Sequence, residues 1–213
     1  MPREIHRTEF LALRKLPHLG ANLIVSGLSP EYGRLTFYLK HAAAGDSHHF
    51  QLFDAFRLLT VDFIGGRDSD FCRCRGAELN EDFSAVARDY SAFQAACDLA
   101  RFCLDNVLAD DPRPRAFRAV RVALARLQAR ELPRTAVLTG FALNYLMESG
   151  LFDYGELSPR EQAQCRLLLE MGDGGAAPVL KEETWERLWE WTRLQLVHAE
   201  LALPPSFRLQ PAS

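Results

Sequence analysis

The 213-residue chain has no apolar run approaching the ~18 residues that a membrane-spanning helix needs. It opens Met1-Pro2-Arg3-Glu4-Ile5-His6-Arg7, without the apolar stretch of a secretory leader. A protein with no membrane partner is therefore expected. Cysteine is sparse and odd in number, five in all, and the spacing fits no disulfide framework. Cys72 and Cys74 form a C-x-C pair, Cys97 and Cys103 fall in a helical pattern, and Cys165 stands alone. This usage predicts a reducing, cytoplasmic setting. The chain also lacks G-x-S-x-G, H-E-x-x-H and P-loop motifs. Gly172-Asp173-Gly174-Gly175 has no Lys-Ser/Thr after it, so it reads as a helix stop rather than a phosphate cradle. Cys72-x-Cys74 lacks a second ligand pair, and His48-His49 sits in a polar loop. Neither an enzyme nor a metal or other cofactor is expected. A formal charge of −3 excludes a basic coat over the whole surface.

The positive charge that is present is concentrated. Residues 1–44 hold Arg3, Arg7, Arg14, Lys15, Arg34 and Lys40 against Glu4, Glu9 and Glu31; residues 113–134 hold seven arginines and one acid, Glu131. Local fields of this kind are what a charged partner meets. Arg34-Leu35-Thr36-Phe37-Tyr38-Leu39-Lys40 alternates with a period of two. Leu35, Phe37 and Leu39 face a core, while Arg34, Thr36, Tyr38 and Lys40 share the other side. Two cations around an aromatic ring match a nucleic-acid strand, since phosphates need cations and an unstacked base needs a flat ring. A polar sheet face in water is the plainer explanation. Arg14 and Lys15 on an adjoining strand would extend the interface.

The first 80 residues read as strands: 7–16, 21–28, 34–42, 52–64 and 71–79. Ser29-Pro30-Glu31-Tyr32-Gly33 and Gly65-Gly66-Arg67-Asp68 are turns, and 43–49 is a loop. Five strands without a helix among them predict a small barrel, with the five-stranded OB type leading and an SH3-like barrel as the other candidate. Past Asn80 the period changes. Phe83, Val86, Tyr90, Phe93, Cys97, Ala100 and Leu104 recur at three and four. Further helices follow at 115–130, 134–149, from Ser158 to Gly172, and 182–201. Ser158-Pro159-Arg160-Glu161 is a capping box with Pro at the first helical position. The expected fold is α+β: an N-terminal OB-type β barrel (1–80) followed by an all-α helical domain (81–213). In the second helix Phe117, Val120, Leu124 and Leu127 form the apolar side. Arg118, Arg121 and Arg126 lie opposite, an exposed cationic face able to take phosphates or an acidic peptide. Trp185, Trp189 and Trp191 read as core.

This plan resembles the RecO family of bacterial recombination mediators. The resemblance is carried by Leu13-Arg14, by the turn Ser29-Pro30-Glu31-Tyr32-Gly33-Arg34-Leu35, by Lys40, and by Gln51-Leu52-Phe53. In the helical part it is carried by Phe141-Ala142-Leu143 running to Gly150 and by Trp191-Thr192-Arg193. It implies binding of single-stranded and double-stranded DNA and strand annealing. It also implies recombinase loading, a RecR-type partner and the single-stranded-DNA-binding protein. Phe141 and Arg193 would then contact a partner, Arg193 by clamping a terminal carboxylate. The chain departs from the family where Lys40-His41-Ala42-Ala43-Ala44-Gly45-Asp46 replaces a basic loop and Val137-Leu138 replaces a basic pair. It also departs between Leu143 and Leu196, where Cys165 stands in place of the four zinc-holding cysteines of some relatives. Two functions stay open: a DNA-binding mediator of recombinational repair, or a protein–protein adaptor in that pathway with little DNA affinity.

Overall fold

The computed structural model describes residues 4–41, 51–65, 71–152, 154–155 and 157–208. An antiparallel sheet comes first and α-helices follow, an α+β arrangement. The strands are β1 (His6–His18), β2 (Asn22–Ser29), β3 (Gly33–Leu39), β4 (Arg57–Ile64) and β5 (Arg73–Asp82), in the order β3-β2-β1-β4-β5. Among the described residues, the two edge strands meet at a parallel bridge between Phe37 of β3 and Cys72, just before β5. The sheet curls toward closure without completing it, so "barrel" describes it only loosely. Two compact units divide the chain: Met1–Ala85 with Cys103–Pro114, and Val86–Phe102 with Arg115–Ser213.

In the first unit, β3 alternates strictly between buried and half-buried residues, as its period of two requires. Leu35, Phe37 and Leu39 join Phe10, Val25, Phe53, Val61 and Phe63 in the core. Phe37 packs edge-on against Phe10 at 4.9 Å and against Phe63 at 5.8 Å between ring centroids. Cys72 and Cys74 pack against the same cluster. β1 carries a bulge: Ala12 pairs with Gly27 and Arg14 with Ser26, which leaves Leu13 as the extra residue.

The strand expected from Leu52 starts only at Arg57. Phe56 adopts a left-handed φ of 65°, which breaks the extension, and its N–H donates to the Ala12 carbonyl at 2.8 Å. The loop 43–49 with His48-His49, and Gly66-Arg67-Asp68 of the second turn, lie outside the described residues.

Gly33 ends the first turn at φ 63°, where side chains are disfavoured. A Cβ there would lie 2.4 Å from the carbonyl oxygens of both Leu108 and Asp111. The turn is held by hydroxyls: Ser29 and Thr8 share a hydrogen bond at 2.7 Å, and the Glu31 carboxylate accepts from this pair.

The helices are α1 (Tyr90–Asn106), α2 (Pro114–Ala129), α3 (Arg134–Glu148), α4 (Pro159–Gly172) and α5 (Glu182–His198). α1 begins later than the apolar spacing suggests, because Asp89 caps it, accepting from the Ala92 N–H at 2.8 Å. In the second unit α3 is buried continuously from Ala136 to Leu146, the signature of a helix surrounded by others. It packs closely on α4, where Asn144 donates to the carbonyls of Gly140 (2.9 Å) and Leu169 (3.0 Å). Glu148 caps α2 from a distance, its two oxygens accepting from the backbone N–H groups of Arg115 (2.7 Å) and Ala116 (2.8 Å). The capping box at Ser158 and Glu161 forms as the sequence predicts. Trp185 and Trp189 are buried, while Trp191 packs edge-on against Phe152.

Candidate nucleic-acid interface

The pairing register decides which side chains share a face. Tyr38 lies across from Ile24, and Ile24 from Leu16; Thr36 lies across from Ser26, and Ser26 from Arg14. Arg14 is exposed and belongs to the Tyr38 side. Lys15 does not. It is in register with Val25 and through it with Phe37, both core residues, and its ammonium lies 3.6 Å from the Asp54 carboxylate. Neighbours on a strand point to opposite faces, so Arg14 and Lys15 cannot serve one surface together.

Arg34 is on the polar side of β3 but turns to a helix end. Its guanidinium donates to the Leu104 carbonyl at 2.8 Å, in the last turn of α1, where unpaired carbonyls attract cations. Tyr38 is half-buried and Lys40 is exposed.

The sheet edges bring new residues to Tyr38. The Cys72 N–H donates to the Thr36 carbonyl at 2.8 Å, and the Tyr38 N–H donates to the Cys72 carbonyl at 3.2 Å. Residue 72 is thus tied to both sides of Phe37, and the start of β5 lies beside the end of β3. Cys72 and Cys74 turn inward, so Arg73 and Arg75 turn outward. A further bulge falls at Arg75: Phe63 pairs with Cys74 and Asp62 with Gly76. The result is a groove of about 310 Å³ lined by Tyr38, Leu39, Lys40, Arg73, Cys74 and Arg75. Burial pushes the Cys74 thiol up to about 11, against the lowering effect of the Gly76 backbone, and the Asp62 charge pushes it further the same way. It is a protonated, inert wall. Among the described residues no carboxylate pairs with Lys40, Arg73 or Arg75. Arg73 and Arg75 escaped the sequence reading, although the alternation that turns the cysteines inward turns the arginines out.

The helical candidates are differently placed. Phe141 is 1% exposed and packs edge-on against Phe102 at 5.5 Å. The expectation that it meets a partner is corrected: its ring fills the core, where a partner cannot reach it. Arg118 is exposed and donates through one nitrogen to both oxygens of Asp173, at 3.0 and 3.1 Å. Arg126 donates to the Gly175 carbonyl at 2.5 Å. These two arginines hold the stop that ends α4. Arg121 is half-buried, so the three do not form a uniformly open cationic face.

Arg193 is 12% exposed; it donates to the Arg208 carbonyl at 2.7 Å and lies 3.7 Å from Glu190. It lines a groove of about 560 Å³ with Gln94, Arg134, Glu186, Ser206 and Arg208. Among the described residues no three His, Cys, Asp or Glu side chains gather as metal ligands would. No described helix is long and apolar enough to cross a membrane.

No family model matches the chain. It is similar to the DNA repair protein RecO of Myxococcus xanthus, 26% identical over 148 residues, which cover 70% of this chain and 60% of that protein. It is also similar to the DNA repair protein RecO of Thermodesulfovibrio yellowstonii, 23% identical over 133 residues, covering 62% and 53%. The chain thus spans between about half and three-fifths of the length of these curated relatives. With a curled five-stranded sheet followed by helices, and with these two likenesses, the chain is a divergent RecO-like protein.

Proposed function

We propose that this chain is a non-enzymatic, cytoplasmic mediator of recombinational DNA repair that binds single-stranded DNA along the Tyr38 side of its sheet. One observation carries the reading: Tyr38, Lys40, Arg73 and Arg75 converge on one groove at the meeting of β3 and β5. The name of the relatives, DNA repair protein, supports it. A groove with cations along it and a ring within it suits a phosphate chain with bases turned aside. In this role the protein anneals complementary strands and helps load recombinase on strands coated by single-stranded-DNA-binding protein, with a RecR-type partner.

The test is a salt titration of oligonucleotide binding. If Arg14, Lys40, Arg73 and Arg75 each neutralise a phosphate, log affinity falls with log salt at about −0.7 per contact, near −3 in all. Salt-independent binding, or none at low salt, contradicts the reading.

A second reading, an adaptor working through protein contacts, has one observation in its favour. The Nε of Arg193 is buried and has no partner among the described residues, beside a groove that Arg134 and Arg208 also line. That groove would take an acidic peptide terminus. Binding of an acidic peptide, lost in Arg193→Gln, with no affinity for DNA, would favour it.

A further inference from the structure

Three rings stand in a row on the sheet unit, each from a different element. His18 comes from the end of β1, Tyr38 from β3, and Phe71 from the residue pair leading into β5. Tyr38 is central: its ring centroid is 5.9 Å from that of His18 and 6.1 Å from that of Phe71. Phe71 is an exposed large apolar side chain, which an ordinary polar sheet face does not require. Lys40, Arg73 and Arg75 line a groove with the central ring, Tyr38.

We propose that this row receives the bases of a stretched single strand, one base to a ring, while Lys40, Arg73 and Arg75 follow the phosphates. The inference rests on the DNA-binding reading above and adds to it what kind of strand the site selects. Stacked bases in a duplex repeat at about 3.4 Å along each strand. Rings spaced near 6 Å cannot continue such a stack. Their planes also differ by 81° and 56°, so no single stack of parallel plates covers all three. A strand that uses the row must come off its own stack and bend its bases to separate rings. A duplex offers only base edges and phosphates, so it gains nothing from the rings. The site therefore discriminates by unstacking and is indifferent to sequence, because every base has a π-face.

Fluorescence anisotropy with the full chain tests this, using three probes: labelled oligo-dT, an abasic oligonucleotide of equal length, and a duplex. The abasic probe keeps the phosphates and loses the faces. Oligo-dT should bind at least about fivefold more tightly than the abasic strand. Phe71→Ala and His18→Ala should narrow that gap and leave the salt slope alone. Arg73→Gln and Arg75→Gln should each reduce the slope by about 0.7 and leave the gap. If Phe71→Ala does not fold, Phe71→Leu removes the ring while keeping apolar bulk, and the wild-type comparison needs no variant. Equal affinity for oligo-dT and the abasic strand, with the salt slope intact, overturns this inference and leaves DNA binding standing. Duplex binding as tight as oligo-dT also overturns it. No binding of any probe at low salt overturns both.

Discussion

Adjacent residues on one strand can have opposite roles, and Arg14 and Lys15 do. The bulge at Leu13 sets the phase in which Arg14 joins the Tyr38 side and Lys15 reaches Asp54. The alternation that identifies Tyr38 is visible in the sequence, because a strand has only two faces. The orientation of Arg34 is not, because its acceptor, the Leu104 carbonyl, lies 70 positions away along the chain. Arg73 and Arg75 are legible in the same way as Tyr38, because residues that alternate with inward-facing cysteines point outward. Gly33 gives the sharpest test at this scale. A methyl group would be forced into two backbone carbonyls at a φ that side chains avoid. Gly33→Ala should cost at least about 2 kcal/mol in urea unfolding, beyond the usual range for surface changes. A loss under about 0.5 kcal/mol would mean that residues 108–111 yield easily.

At the scale of elements, helices were easier to find than their ends. The apolar spacing of α1 continues backward through Val86 to Phe83, but the Asp89 carboxylate starts the helix later. The box at Ser158 was legible because both of its partners lie within four residues. The cap on α2 was not, since Glu148 arrives from the end of another helix. Glu148→Ala leaves two N–H groups without acceptors and should cost about 0.5–2 kcal/mol in thermal or urea melts. The box at Ser158 has a pH signature. The Ser158 side chain, then its backbone N–H, holds the Glu161 carboxyl below its ordinary value, with a small opposing effect of burial. A depressed folded-state pKa gives stability that is present above the unfolded value and is lost as pH falls through the folded one. Melting between about pH 5 and pH 3 should thus show a shallower acid limb in Glu161→Gln than in wild type. Identical limbs would remove the box from the stability of the second unit. The same long-range logic explains the arginines of α2. Their spacing predicts a face, but Arg118 and Arg126 hold Asp173 and Gly175, which only the folded chain brings near.

For the whole molecule, a net charge of −3 does not forbid an anionic ligand, because Lys40, Arg73 and Arg75 make a local positive field where the sheet edges meet. The α+β plan was readable from the change of period near residue 80. The near-closure of the sheet was not, since it depends on the long-range bridge between Phe37 and Cys72. That bridge places Arg73 and Arg75 beside Tyr38 and Lys40, and the account depends on this placement. The most direct test compares two sets of variants in oligo-dT binding at low salt: Lys40→Gln/Arg73→Gln/Arg75→Gln in the groove, and Arg118→Gln/Arg121→Gln on α2. The account predicts that the groove variant loses about two units of salt slope and most of its affinity, while the α2 variant binds like wild type. Undiminished binding by the groove variant, with loss in the α2 variant, would contradict it.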